Sequence, residues 1–306
     1  MSGYIVILGV FVADTAYRAD RAPKMGETIL GNSFALGPGG KGSNQAVAAA
    51  MAGADVRMIT HLGKDTFGDL ALATWAKAGV TPEITQFEDG YTGAAYIFVE
   101  EATGNNAIIV CPGVATGIMP EDIEKRSDLI ANSSIFMTQL EQPIDAAIRA
   151  LEIAKEGGAK TILNPAPAAE LPESIYGLCD FVTPNESESE SLTGIKVDTL
   201  ASADKAADAF LDLGVGTAVI TLGENGILLK DKTQSVHVPA FDAGPVVETT
   251  GAGDAFNGGF ATGLAEGMTP EQAARFGCAT AGISVTRPGT APSMPARSEI
   301  EALLKT

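Results

Sequence analysis

The stretch Gly37-Pro38-Gly39-Gly40-Lys41-Gly42-Ser43-Asn44-Gln45-Ala46 carries four glycines near its start, one lysine and then a helix-forming run. Its reading decides which α/β fold the chain adopts. Gly37, Gly39 and Gly42 fit the dinucleotide fingerprint G-x-G-x-x-G. That fingerprint also needs an acid at the end of the next strand to hold a ribose. The next β-rich run, Val56–Thr60, ends at His61-Leu62-Gly63, and Asp55 lies before it, at the wrong end. The Walker A pattern needs glycine at 35 and Ser or Thr at 42, and the chain has Ala35 and Gly42. What remains is a tight turn at a helix N-terminus, with Lys41, Ser43 and Asn44 beside it. Lys41 brings three donors and Asn44 a donor and an acceptor. That mixture suits sugar hydroxyls, which do both. A plain glycine turn with Asn44 as helix cap is the simpler alternative.

On either side of this loop short β-rich runs alternate with helical stretches. The runs are Tyr4–Val10, Val56–Thr60, Ile135–Thr138, Thr161–Leu163, Phe181–Thr183 and Ala218–Thr221. The helical stretches lie at about 42–53, 67–78, 120–131, 143–156, 201–213, 252–267 and 270–284. The alternation predicts parallel βαβ units and a central sheet covered by helices on both faces. Two regions break the rhythm. Residues of about 15–36 have little helical period and contain Pro23, Gly26 and Gly31. Residues 91–110 predict a hairpin turning at Thr103-Gly104-Asn105-Asn106. Ala94–Val99 is apolar at successive positions, so both of its faces find cover. These segments predict a small β lid over a cleft, able to pair with a second subunit; an edge hairpin of the main sheet is the alternative. The expected unit is one domain, 1–306, with lid segments at about 15–36 and 91–110.

Composition bounds the function. The chain has 306 residues, 45% of them hydrophobic and 19% charged, which suits a globular core. Glycine makes up 35 residues, about 11% against a usual ~7%, and clusters in GPGGKG, TLGENG and TTGAGD. The net charge of −18 argues against nucleic acid or an anionic membrane as partner. An anionic substrate would need local donors, helix N-termini or a metal to overcome that field. Cys111, Cys179 and Cys278 form no disulfide framework, which favours a reducing cytoplasm, and each is expected to be a small buried hydrophobe. No run approaches the ~18 apolar residues of a membrane span. The N-terminal apolar run reads as a first core strand rather than a signal peptide.

A second glycine stretch is sharper: Thr249-Thr250-Gly251-Ala252-Gly253-Asp254-Ala255-Phe256-Asn257-Gly258-Gly259. Consecutive N–H groups at such a helix start form an anion-binding nest, and transferring phosphoryl oxygens are its natural occupant. Asp254 is either a helix cap or a general base for an attacking hydroxyl, with the nest keeping it ionised at neutral pH. Asn185 and Glu188 lie three apart in Thr183-Pro184-Asn185-Glu186-Ser187-Glu188. They could order Mg²⁺ through waters, or form a capping box. Thr221-Leu222-Gly223-Glu224-Asn225-Gly226 reads as a turn along a phosphate or ribose, or as a hairpin turn.

GGKGSNQAVAAAMAGADV, LEQP at 140–143, NPAPAAELP at 164–172, TPNESE at 183–188, TLGENG at 221–226, TGAGDAFNGG at 250–259 and VTRPGTAPS at 285–293 occur in this order along nearly the whole chain. In that order they resemble the PfkB carbohydrate kinases, most closely their bacterial ribokinase branch. The resemblance implies a Rossmann-like three-layer α/β/α (ribokinase-like) fold with a small β-sheet lid. It implies ATP-dependent transfer of the γ-phosphoryl group to the primary hydroxyl of a pentose, D-ribose first. It implies Asp254 as base, with Gly251, Ala252 and Gly253 as the anion hole. Asp14, Gly40, Lys41, Gly42, Asn44 and Glu141 would hold the sugar. Asn185, Thr221, Gly223, Glu224, Gly226, Gly253 and Cys278 would meet ATP, and Glu188 would help place Mg²⁺. A monovalent cation, K⁺, would sit where the Glu248–Thr250 loop meets Ser284, Arg287, Gly289 and Ser293. A homodimer through the lid is implied as well.

Three positions depart from the family pattern. Val12 replaces an asparagine at the first sugar contact and cannot hydrogen-bond a hydroxyl, which relaxes or shifts sugar choice, toward a deoxy sugar for example. Glu248 replaces an aspartate with a longer arm, and Cys278 replaces a histidine. Rival readings are a kinase of the same family for deoxyribose, a ketohexose, a modified sugar or a nucleoside; a silent sugar- or nucleotide-binding sensor; and a dinucleotide dehydrogenase.

Overall fold

The structure, a computed structural model, describes residues 3–306. The strands are β1 (Ile5–Leu8), β2 (Val12–Ala19), β3 (Ser33–Gly39), β4 (Val56–Gly63), β5 (Val80–Phe87), β6 (Thr92–Glu100), β7 (Asn106–Gly113), β8 (Ile135–Thr138), β9 (Lys160–Leu163), β10 (Phe181–Val182), β11 (Thr217–Thr221), β12 (Ile227–Lys230) and β13 (Ser235–Val238). The helices are α1 (Lys41–Met51), α2 (Thr66–Ala78), α3 (Pro120–Glu124), α4 (Ser127–Ala131), α5 (Ile144–Gly157), α6 (Glu186–Thr193), α7 (Leu200–Asp212), α8 (Ala252–Ala265), α9 (Pro270–Ser284) and α10 (Arg297–Leu303).

A nine-stranded sheet in the order β13-β12-β11-β10-β9-β8-β1-β4-β5 forms the centre. β1 and β8 are buried at every residue, as the short apolar runs predict for strands covered on both faces. Side chains of α5 and α7 pack one face, around Leu151 and Phe210. Those of α1, α2, α8 and α9 pack the other, around Trp75 and Phe260. The result is the three-layer α/β/α arrangement. No helix among the described residues is long and apolar enough to cross a membrane.

The wholly parallel sheet needs correction at one edge, where β12 and β13 run antiparallel. Only Leu222–Gly226 joins β11 to β12, far short of the dozen or more residues a parallel crossover needs. The helix expected over 120–131 is two helices. Between them Arg126 leaves helical geometry, and its guanidinium donates to Glu83 O and to Thr85 Oγ1, each at 3.1 Å.

β2, β3, β6 and β7 form a separate four-stranded sheet in the order β3-β2-β6-β7. The 91–110 hairpin therefore does not belong to the main sheet. The strands extend past the expected segments, to Val12 on one side and Gly39 and Gly113 on the other. Register sorts their faces. Val12 and Asp14 share one face with Ala95 and Ile97. Tyr17, Phe34, Leu36, Tyr96, Ile109 and Cys111 share the other. Cys111 is exposed there, which corrects the expectation that all three cysteines are buried.

This topology places the site. The chain climbs β1, passes through the small sheet and returns along β3 directly into α1. The Gly37–Gly42 stretch is thus the end of a strand of the small sheet, the single residue Gly40 and the first residues of α1, which is why the dinucleotide reading fails. The order of strands reverses between β1 and β8, and crevices at the carboxyl ends beside such a switch are where open α/β sheets bind ligands. Close backbone approaches hold α1 there. A Cβ on Gly42 would lie 2.7 Å from Gly9 Cα, and one on Gly258 of α8 would lie 2.5 Å from Ala48 Cβ.

Candidate active site

α8 begins at Gly251, whose φ of 83° needs glycine. The Ala252 N–H bonds back to Thr249 O at 3.1 Å, but among the described residues the N–H groups of Gly253 and Asp254 meet no backbone carbonyl. Gly253 is exposed, and a methyl there would meet nothing within 4 Å. The positive end of α8 is therefore open at Gly253, with two backbone donors free.

Asp254, in the same turn, points the other way. It is 6% exposed, its side chain caps nothing in α8, and both oxygens accept from α1: Asn44 Nδ2 to Oδ2 and Gln45 Nε2 to Oδ1, each at 3.0 Å. The cap alternative is excluded. The expected source of its charge stabilisation also changes. Burial pushes the carboxyl pKa up, and the Lys41 charge and the two amides of α1 oppose that rise. Asn44 is likewise no cap, since α1 is capped by Gly40, with φ 85° and no side-chain bond.

The start of α1 is closed. The Lys41 N–H donates to Glu141 Oε2 at 2.7 Å, just past the end of β8. Burial pushes Glu141 up to about 7, with Lys41 opposing and Asp254 and Asp14 adding to the rise. Burial likewise pushes Asp14 up to about 6. The Lys41 charge also lowers Glu188, whose carboxyl burial raises. One ammonium thus serves three carboxylates, and Asp14, Lys41, Asn44, Glu141, Glu188 and Asp254 converge. Gly40 and Gly42 contribute close backbone: a Cβ on Gly40 would lie 2.5 Å from Val10 O.

The remaining expected residues divide. Asn185 and Glu188 form the capping box of α6: Asn185 Oδ1 accepts from the Glu188 N–H at 2.8 Å, and Glu188 Oε2 accepts from the Asn185 N–H at 2.9 Å. Ser187 also donates to Asn185 Oδ1, so Asn185 keeps its NH₂ for a partner and Glu188 keeps Oε1. Thr221, Gly223, Glu224 and Gly226 form the β11–β12 hairpin turn, with Gly226 at φ 87°. A cavity of about 240 Å³ lies beside that turn, lined in part by Glu186, Leu222, Asn225 and His237. Cys278 is buried in the apolar layer around α8, and burial pushes its thiol up to about 12. The Glu248 loop does meet the stretch after α9: the N–H groups of Val247 and Glu248 donate to Val285 O, and the Gly289 N–H donates to Glu248 Oε2 at 2.8 Å. The Arg287 guanidinium turns away to Glu299 of α10, leaving only its backbone for that loop. Thr250 and Ser293 lie in the same two segments, and Ser284 is the last residue of α9. A larger depression of about 450 Å³ sits at the opposite, amino ends of β9 to β11 and shares none of these residues.

Five buried polar residues were not expected. Gln45 Nε2 also donates to Asn164 Oδ1 at 3.0 Å, Gln139 Nε2 donates to Gln45 Oε1 at 2.6 Å, and Asn164 Nδ2 donates to Thr183 O at 2.9 Å. Thr183 Oγ1 donates to Asn257 Oδ1, and Asn257 Nδ2 donates to Gly253 O. Asn164, Thr183 and Gln139 stand just past apolar strands, and Gln45 interrupts a run of small apolar residues. Polar side chains in such places are the signal that was there to read.

Residues 3–297 match the profile of the family described as "pfkB family carbohydrate kinase". The chain belongs to this family. This carbohydrate kinase is 39% identical to the ribokinase of Haemophilus influenzae over 96% of both chains. It is 37% identical to the deoxyribokinase of Salmonella typhimurium over 98% of both. The solved structure of an Arabidopsis thaliana ribokinase complexed with ribose and ATP matches with a TM-score of 0.94, at 30% identity and covering 100% of both chains. The Thermotoga maritima ribokinase structure matches with a TM-score of 0.90, at 38% identity, over 99% of this chain and 100% of that one. The kinase is thus a phosphotransferase with a sugar as acceptor, which leaves the dehydrogenase reading without support.

Proposed function

We propose that this kinase transfers the γ-phosphoryl group of ATP to the primary 5-hydroxyl of a pentose, D-ribose first, with Asp254 as general base. The observation that carries the reading is the pairing of a buried carboxylate with free backbone donors in one helical turn: Asp254 faces α1, and the Gly253 and Asp254 N–H groups meet no backbone carbonyl, beside an exposed Gly253. The ribokinase relatives, and the ribose and ATP of the Arabidopsis complex, support the substrates.

In this mechanism Asp14, Lys41, Asn44 and Glu141 hold the sugar hydroxyls, with Gly40 and Gly42 letting the backbone come close. The acceptor oxygen bonds to the γ-phosphorus as the bond from that phosphorus to the β–γ bridging oxygen breaks. The hydroxyl proton passes to Asp254, and ADP leaves with the electron pair. Gly251, Ala252 and Gly253 stabilise the transferring oxygens through fixed amides that need no reorganisation. Asn185 offers its NH₂ to the phosphates, and the β11–β12 turn lies along the nucleotide.

Among the described residues no group of three or more His, Cys, Asp or Glu side chains could hold a metal alone. That suits Mg²⁺ held by phosphates and waters, with Glu188 Oε1 as the protein's oxygen. Bound there, the ion neutralises phosphate charge. The loop pair around Glu248 and Gly289 would hold K⁺, which would brace the anion hole.

The small sheet acts as a lid over the acceptor, and 1–306 works as one unit. The exposed Tyr17, Phe34, Leu36, Tyr96 and Ile109 on the lid's outer face support a homodimer through that face. The enzyme works in the cytoplasm, where ATP is supplied. Val12, buried on the face that carries Asp14, favours 2-deoxyribose as a second acceptor. The test is ADP release over pentoses, deoxypentoses, ketohexoses and nucleosides. D-Ribose should give the highest kcat/KM and 2-deoxyribose the next. A ketohexose or nucleoside above both would overturn the acceptor, and ligand binding without ADP release would overturn the kinase reading.

A further inference from the structure

The amide chain behind Asp254 has a direction. It starts at the Thr183 carbonyl, which can only accept. Asn164 must turn its NH₂ toward that carbonyl, and so presents its oxygen to Gln45. Gln45 must then turn its NH₂ toward Asn164, and the second hydrogen of the same nitrogen reaches Asp254 Oδ1. Its oxygen is left to accept from Gln139. Gln45 and Gln139 are fully buried, and Asn164 nearly so. Water cannot substitute readily for any link. A flipped Gln45 would set its oxygen against both the Asn164 oxygen and the Asp254 carboxylate.

We propose that Gln45 is a positioning residue for Asp254, its amide locked by Gln139 and Asn164 so that it always presents a donor to Oδ1. The proposal rests on Asp254 being the base. A donor held in place favours the carboxylate over the acid and fixes the plane in which the carboxylate meets the acceptor hydroxyl. Gln45 thereby keeps the base ionised against the burial that opposes it. The other groups that face Asp254 are Lys41 and Asn44 of α1, Glu141 after β8 and Glu188 of α6. Of these only Lys41 is cationic. The same chain reaches the anion hole through Thr183, Asn257 and the Gly253 carbonyl. The base and the phosphoryl site are therefore braced from one strand end.

The test is the pH profile of kcat in the full-length enzyme with saturating ribose, MgATP and potassium. In Gln45→Met, which keeps the length and loses the donor, the acid limb should move up by about one pH unit. At pH values well below the parent's limb kcat should fall about tenfold, with ribose KM changed less than threefold. Gln139→Met leaves the Gln45 bonds to Asn164 and Asp254 in place and removes one of the two locks on the Gln45 amide, so its limb should move the same way by a smaller amount. This keeps the proposal testable if Gln45→Met does not fold. A limb unmoved in either folded variant overturns the positioning role, even where kcat drops uniformly. Asp254→Asn, measured alongside, separates the two claims: near-normal turnover in that variant sinks the base itself rather than the role of Gln45.

Discussion

α1 and α8 both start on a glycine with φ near 85°, and both open within a glycine-rich stretch of sequence. Their free ends have opposite fates. The first N–H of α1 is taken by the Glu141 carboxylate, whereas α8 leaves the Gly253 and Asp254 N–H groups open beside an exposed glycine. A helix N-terminus attracts anions in general. Which anion it holds depends on whether the protein has already supplied one. The opening lysine-glycine stretch is thus spent on an internal carboxylate. In the proposed mechanism it turns its side chains to the sugar, and the plainer GAGD turn is left for the phosphoryl group.

The contrast can be broken first at Asp254. Asp254→Asn should cut kcat about a thousandfold, with ATP and ribose still bound by calorimetry; turnover within tenfold of the parent would remove the base. Next comes a matched pair of glycines. Gly253→Ala meets open space, so thermal stability should hold or rise slightly, but kcat/KM for ATP should fall about a hundredfold as the methyl displaces the phosphoryl group. Gly40→Ala should instead lose on the order of 1–3 kcal/mol of stability through its positive φ and the nearby Val10 carbonyl. If urea titrations and ATP kinetics gave the reverse pattern, the roles of the two loops would be exchanged. A smaller effect is expected from Lys41→Ala, which should raise ribose KM about tenfold before it lowers kcat. An unchanged KM would take Lys41 out of the sugar site.

The smallest effect is on stability against pH in the ligand-free enzyme. Asp14 at about 6 and Glu141 at about 7 hold their protons more tightly when folded than when unfolded. Their contribution is full below about pH 4 and is lost as pH rises to about 7. The Tm should therefore fall by several degrees across that window, and Glu141→Gln should flatten the slope. An equal slope in both proteins would show that the charge of Glu141 is not suppressed.

Much of this was legible in the chain. The buried strands β1, β8 and β9 announced themselves as short apolar runs, and α1, α2, α5, α7, α8 and α9 by their period. β2 and β3 showed only as a lid segment without bounds, because their residues alternate weakly and many of them are exposed. β12 and β13 were hidden because their direction depends on the length of one turn. At the site, Asp254 and Lys41 stood out through the glycines beside them. Gln45 and Asn164 did not, because an amide inside an apolar run shows its partners only once strands far apart in sequence are brought together.

Asp14 and Val12 sit on the small sheet, and Asp254 with its amides sits on the main body. On the proposed reading, recognition of the alcohol is thus shared between the two modules, while chemistry at phosphorus belongs to the main body alone. Edits to β2 and its neighbours would then reach one side of the carbohydrate without disturbing the machinery that moves the phosphate, so an enzyme of this build could adjust its menu by remodelling a flap.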